Sequence, residues 1–460
     1  MGKDFSADVL KVIDEVGASF VVVPDDFYKI VLKDGRRVLP YVAVLPRDIS
    51  QCDLIVVHKG LMHRLGHEML AVATLLCEVV HADEVFVCYG RGAVTERAAQ
   101  LPRAANMMSH VQSVRNYLKS ERLFRVKSQV ARTAVLVSAY GVGNIGDDLV
   151  SLAAKKMLLD VGIASVALSG PMVTYDAICE ADLVAVGGGG LFYDHDLNNC
   201  GNYLYPIAEA ARQGKPSVVL GVGVDRMKSE AGKLAYSRHL ATARFVSVRD
   251  PVDRECLVEL NPAFESTFAG IDMAFYLAED LRRMGGDETE INQKIALFSL
   301  PIMLPNLKTI ARPMVRELKD QGFEVVILLH ADDDREFSQT LAADEGLRLI
   351  DAAGHGIASV ARMYARSSLV VTGRYHALIL GAIFGKPVIT VNGDGTKADK
   401  LMNTYIPSLR ANRVAVSAID IEPIRDLIKN ARKPEHAEVQ RCISMTYMMK
   451  EELARSLRPV

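Results

Sequence analysis

Short apolar runs alternate with segments of helical period along most of the chain, and the pattern divides it into three blocks. Up to about residue 128, β-rich runs fall at 19–24, 28–33, 38–45 and 53–58, with Asp34-Gly35 placed between the second and third as a hairpin turn. Helical patterns follow at about 62–80 and 93–120, around one more strand at Glu84–Cys88, and the charged cluster 119–127 reads as a linker. From Thr133 onward the alternation becomes regular. Strands at 133–139, Leu183–Val186, Ser217–Leu220 and Phe245–Val248 are each followed by a glycine-rich or charged turn and a helix. After a polar stretch at 286–293, which suits a hinge, the scheme repeats with Lys294–Phe298, Glu324–Leu329, Leu347–Ile350, Leu369–Val371 and Val388–Val391. Strands separated by helices imply parallel, helix-covered sheets. The pattern therefore predicts an α/β protein: an N-terminal α/β domain over 1–128, two doubly wound Rossmann-like domains over 129–285 and 286–418 facing a cleft, and C-terminal helices over 419–460.

The stretch 369–394 carries the most chemistry. An apolar β-branched run ends at Gly373, Arg374 and His376 follow, a helix-length apolar segment comes next, and a strand restarts after Pro387. Arg374 and His376 thus sit where a strand's carboxyl end meets a helix, the ligand-binding edge of an open parallel sheet. A fixed cation beside an imidazole suits a small anion that must receive a proton. The alternative is structural, with Arg374 paired to a carboxylate and His376 capping the helix.

Other strand ends add candidates. Tyr140-Gly-Val-Gly-Asn-Ile-Gly-Asp-Asp148 leads into a helix whose N-terminus favours an anion. It lacks the Lys-Ser/Thr ending of an ATP loop, while Gly141-x-Gly143-x-x-Gly146 matches a dinucleotide fingerprint, so NAD stays a rival. Asp147 and Asp148 argue against it, lying where a pyrophosphate would sit, and a tight turn with Asp147 as helix cap is the structural alternative. The Gly187–Gly190 run allows close backbone approach, which makes Gly188, Gly189 and Asn144 candidates for substrate contact and packing clearance the alternative. Arg249, in Ser247-Val-Arg-Asp250, offers a planar fork to a carboxylate or phosphate, with a local pair to Asp250 or Asp253 as the alternative. His330-Ala-Asp-Asp-Asp334 ends a strand that can face the same cleft, though helix capping by one Asp is the simpler reading. His63 and His67 have metal-ligand spacing, but no third ligand is identifiable, and no metal is assigned.

Composition narrows the classes. With 460 residues, a formal charge of −2, no Trp and 6% aromatic residues, the chain has neither the basic footprint nor the stacking platform of a nucleic-acid binder. Seven scattered cysteines without C-x-x-C spacing fit a reducing, cytoplasmic setting. The N-terminus lacks a signal peptide's apolar core, and no apolar stretch is long enough to span a bilayer, so contact with the inner membrane is expected to be peripheral at most.

Taken in order, Gly-Asn-Ile-Gly-Asp-Asp (143–148), the Gly187–Gly190 run, Gly221-Val-Gly223, Ser247-Val-Arg-Asp250, Gly270-Ile-Asp272 and Gly373-Arg-Tyr-His376 resemble the polysaccharide pyruvyl transferase family over about residues 133–405. The resemblance implies two Rossmann-like domains similar to B-type glycosyltransferases. It also implies a reaction in which phosphoenolpyruvate gives its pyruvyl group to two hydroxyls of a saccharide or lipid-linked oligosaccharide acceptor and phosphate leaves. No cofactor beyond that donor substrate is implied, and self-association stays open. By similarity, donor binding falls on Arg249 and on Arg374 with His376, and Lys397 or Lys400 matches a lysine after the last strand. His376 is then the acid that protonates the donor's methylene, and Asp147 orients or deprotonates a sugar hydroxyl. The chain departs from the family at Gly221-Val-Gly-Val-Asp225 and at Tyr375, and residues 1–128 lie outside the family's extent. A nucleotide-sugar-dependent glycosyltransferase and a non-catalytic scaffold in polysaccharide assembly are the competing functions.

Overall fold

The computed structural model describes residues 5–33, 35–49, 51–101, 110–111, 113–114, 132–286, 294–415 and 421–458. The first sheet contains β1 (Phe20–Val23), β2 (Arg37–Pro40), β3 (Leu54–His58), β4 (Glu78–Ala82) and β5 (Phe86–Gly90), in the order β2-β1-β3-β5-β4. The expected hairpin before β2 is absent: β1 and β2 pair in parallel, which requires a crossover rather than a tight turn. Part of the run expected as a strand at 28–33 is the short helix Tyr28–Val31, whose buried residues Tyr28 and Val31 follow helical spacing. The helix expected over 62–80 is also divided. Gly66, at φ +85°, separates Met62–Leu65 from His67–Leu76, and β4 follows, so His63 and His67 do not share a helix.

The second sheet holds β6 (Thr133–Val137), β7 (Ser165–Ser169), β8 (Leu183–Phe192), β9 (Ser217–Val224), β10 (Phe245–Val248) and β11 (Phe268–Ala269), in the order β11-β10-β9-β8-β6-β7. The third holds β12 (Ile295–Ser299), β13 (Glu324–Leu329), β14 (Arg348–Asp351), β15 (Leu369–Thr372), β16 (Val388–Asn392) and β17 (Arg413–Ala415), in the order β14-β13-β12-β15-β16-β17. All their pairings are parallel. In each sheet the first strand is flanked on both sides, β6 by β7 and β8 and β12 by β13 and β15. The chain reverses direction across the sheet there and opens a crevice at the carboxyl ends. The linker cluster 119–127 and the hinge stretch beyond Gly286, to 293, lie outside the described residues.

The period-two geometry of the strands gives β6 two partners. Val135 and Val137 face an apolar core shared with the N-terminal sheet, including Val21 and Val56, whereas Ala134 and Leu136 face a second core that continues into the third sheet's layer through Tyr364 and Leu378. The N-terminal block is therefore fused to the first Rossmann domain rather than tethered to it. Polar contacts reinforce the joint: Arg64 donates to Asn202 Oδ1 at 2.6 Å, Arg238 to the Ala43 carbonyl at 2.6 Å, and Lys29 to the His195 carbonyl at 2.6 Å. The terminal helix His436–Ser456 returns to the first Rossmann domain, where Met449 is buried against Ser247.

Candidate functional site

The loops at the carboxyl ends of both parallel sheets meet around a cavity of about 770 Å³. Asn144, Asp147, Arg249, Arg374, His376, Lys397 and Lys400 all line it. Backbone pairing holds the two walls in register: Ile145 N donates to the His330 carbonyl at 3.0 Å, and Asp332 N to the Gly143 carbonyl at 2.9 Å. The sequence motifs 143–148 and 330–334 thus bind each other across the domain boundary.

Asn144, not Asp147, caps the helix Ile145–Asp160, its Oδ1 accepting from Gly146 N at 3.0 Å. That leaves the Asp147 carboxylate directed to the cavity wall. Burial pushes its pKa up, against the pull of His376 and Lys397. The fingerprint glycines have uses other than a pyrophosphate. A Cβ on Gly146 would lie 2.0 Å from His376 Nδ1, and one on Gly143 would lie 2.3 Å from Asp332 Oδ2. At Gly143 and Gly146 the missing Cβ thus makes room for protein side chains, while Gly141 faces open space.

Arg249 is 5% exposed, and its nearest carboxylates, Asp253 and Asp272, are both 3.9 Å away. Its guanidinium also lies over the Tyr375 ring, 5.2 Å from the centroid. Two glycines admit the cations of this corner. A Cβ on Gly223 would meet Arg249 Nη2 at 2.1 Å, and one on Gly190 would meet Lys397 Nζ at 2.5 Å. Burial first, then the nearby Arg249 charge, lower the pKa of the Lys397 ammonium. Burial pushes Asp253 up to about 6 despite Arg249.

Arg374 is held differently. Its Nε and Nη2 donate to the buried Asp334 carboxylate at 2.7 and 2.6 Å, a bidentate pair, and Asp334 also accepts from Ile302 N at 2.8 Å. The ion pair of the structural alternative is thus present, and the arginine also lines the cavity. His330 contacts Tyr364 Oη at 3.0 Å through Nε2, and burial lowers its pKa to about 3, so it is neutral. His376 Nε2 lies 3.5 Å from the buried Asp272 Oδ2.

Gly188 and Gly189 do not line the cavity; Gly190 does. A Cβ on Gly188 would collide with the Val150 backbone at 2.8 Å, so this glycine serves helix-on-sheet packing, and Gly189 faces Asp147 Oδ1. His63 packs edge-on against Tyr205, and burial lowers its pKa to about 4. Sequence reasoning offered Asp253 only as a local partner for Arg249 and quoted Asp272 only within the Gly270-Ile-Asp272 motif, without a role in the site. Asp253 follows Arg249 by one helical turn, a usable signal, whereas Asp272 stands after a two-residue strand whose place in the sheet no local pattern shows.

Two Rossmann-like domains thus gather cations and an imidazole at the facing carboxyl ends of their strands, around one interdomain cavity. The chain belongs to the polysaccharide pyruvyl transferase family, whose sequence model matches residues 144–395. No curated protein matches the chain. Among solved structures it is similar to UDP-GlcNAc 2-epimerase from Neisseria meningitidis bound to UDP-GlcNAc, at 14% identity and TM-score 0.49 over 71% of this chain and 100% of that one. It is also similar to the UDP-GlcNAc 2-epimerase from Methanocaldococcus jannaschii, at 11% identity and TM-score 0.46 over 70% and 99%. E. coli ADP-heptose lps heptosyltransferase II is similar at 11% identity and TM-score 0.37, over 67% and 99%. Among the described residues no helix is long and apolar enough to cross a membrane.

Proposed function

We propose that the cleft transfers the pyruvyl group of phosphoenolpyruvate to two hydroxyls of a saccharide acceptor, free or lipid-linked. The observation that carries this reading is the Arg249 corner: a buried guanidinium without a close ion pair, beside the Lys397 ammonium, with Asp272 standing between it and His376. A buried cation held so loosely is suited to a polyanion that completes its coordination. Arg249 and Lys397 take the donor's carboxylate and phosphate, and Lys400 adds charge at the wall.

With Nε2 turned to Asp272, Nδ1 is the ring nitrogen left to deliver a proton. His376 protonates the methylene carbon, C2 becomes electrophilic, and an acceptor hydroxyl adds there while Asp147 takes its proton. A carboxyl raised by burial is a stronger base than a free one, which suits that step. The C2–O bond to phosphate then breaks and the second hydroxyl closes the ketal. One hydroxyl proton replaces the one given to the methyl group, and the other leaves with phosphate.

Calorimetric titration tests the reading. Phosphoenolpyruvate alone should bind, whereas binding of a nucleotide sugar in its place would favour a glycosyltransferase and binding of neither a scaffold. His376→Gln should lower kcat by roughly 10²-fold, the usual worth of a general acid, with donor affinity little changed. In deuterated buffer the product methyl should carry solvent deuterium, and a methyl without it would overturn the assignment of His376.

A further inference from the structure

Asp272 belongs to the first Rossmann domain and reaches the imidazole of the second. Its Oδ1 caps the turn Met273–Leu277 by accepting from Ala274 N at 2.9 Å, which fixes the carboxylate's direction. Its Oδ2 is buried without a hydrogen-bond partner among the described residues, and so is His376 Nε2, the atom it faces at 3.5 Å. A buried acceptor and a buried donor that face each other unmatched need only a few tenths of an ångström to pair, and catalytic hydrogen bonds commonly tighten when the substrate complex forms.

We propose that Asp272 is the positioning residue for His376: it holds Nε2–H across the domain boundary, so that Nδ1, which lies against Gly146, carries the transferable proton. The inference rests on the functional reading above. Around the imidazole stand Asp147 from the helix after β6, Arg249 beyond Asp272, His330 after β13, and Arg374 and Tyr375 on its own loop. His330 is neutral and the arginines oppose an imidazolium. Burial raises Asp147, whereas at Asp272 the charges of His376 and Arg249 outweigh burial and hold the carboxyl below its ordinary value. Of the two carboxylates beside the ring, Asp272 is therefore the one whose surroundings favour the ionised form.

The test uses Asp272→Asn in the full chain, a change that keeps the size and the cap. With Asn Oδ1 still accepting from Ala274 N, the new amide donates to Nε2 and forces the proton to Nδ1. Nitrogen NMR of ¹⁵N-histidine protein, with the His376 signals identified by their loss in His376→Gln, reads this without turnover. In alkaline buffer, once the ring signals are those of a neutral imidazole, the wild-type ring should carry its proton on Nε2 and the variant on Nδ1. The same tautomer in both proteins overturns the proposal.

In turnover, kcat of Asp272→Asn should fall by roughly 10²-fold. The alkaline limb of its pH profile should move to lower pH, because a neighbouring negative charge is lost, while KM for phosphoenolpyruvate stays within about threefold. A large rise in KM with an unmoved limb would mean that Asp272 acts through Arg249, and the proposal fails. If wild-type protein neither binds nor uses phosphoenolpyruvate, the functional reading fails, and the tautomer comparison alone decides the role of Asp272.

Discussion

The cleft contains two arginines, one from each Rossmann sheet, both following a strand's carboxyl end, and they are held in opposite ways. Arg374 is locked into a bidentate pair with Asp334, which also accepts from Ile302 N, so one guanidinium and one carboxylate bind three loops of the second domain together. Arg249 is more deeply buried yet has no carboxylate closer than 3.9 Å, and glycines at 190 and 223 keep its corner open. The comparison teaches that residue type and topological position do not assign a role. A fork that is already filled builds the wall, and a fork left loosely paired is available to a ligand.

Substitutions at the two sites should separate stability from binding. Arg374→Met leaves Asp334 buried without its cation and should cost about 3 to 5 kcal/mol of folding stability, measured by chemical denaturation; adding Asp334→Asn should recover much of the loss. An Arg374→Met protein of wild-type stability would break the comparison. Arg249→Met should do the reverse, weakening phosphoenolpyruvate binding by about 1.5 to 3 kcal/mol in calorimetry while the denaturation midpoint changes little. Equal loss of donor affinity in both variants would show both arginines to be a clamp.

Two smaller effects sharpen the picture. Gly223→Ala places a Cβ where the Arg249 guanidinium lies, so the fork must move; donor affinity should fall by about 1 kcal/mol, and an unchanged affinity would mean that the position of Nη2 is not critical. Asp253, raised by burial to about 6, gains its proton as pH falls through that value and removes one negative charge from the corner. Phosphoenolpyruvate affinity should therefore rise a few-fold between pH 7 and pH 5.5 relative to Asp253→Asn, in which this component is missing. Parallel pH dependence in the two proteins would place Asp253 outside the binding corner.

The N-terminal block shows where sequence pattern misleads. Runs at 28–33 and 38–45 are rich in β-formers, yet Tyr28–Val31 is helical and Tyr41–Ala43 is a 3-10 turn, because burial against the first Rossmann domain overrides local preference. The charged cluster at 119–127 suggests a separable unit, whereas Val135 and Val137 share a core with Val21 and Val56. Half of a strand's side chains face each way, and the pattern alone does not say which neighbour covers them.

What the sequence determined by itself is the alternation of strand and helix from Thr133, and with it the parallel sheets and the placement of Asp147, Arg249, Arg374 and His376 at strand ends. These follow from local periodicity, turn residues and a rule of open α/β sheets. The tertiary structure decided which of those side chains are filled and which are open. Gly146 makes room for an imidazole from the other domain, Gly188 for a helix backbone, Asp334 fills Arg374, and Asp272 faces His376 from more than a hundred residues away. Pairings of this kind depend on distances between segments remote in the chain, and no spacing along the sequence encodes them.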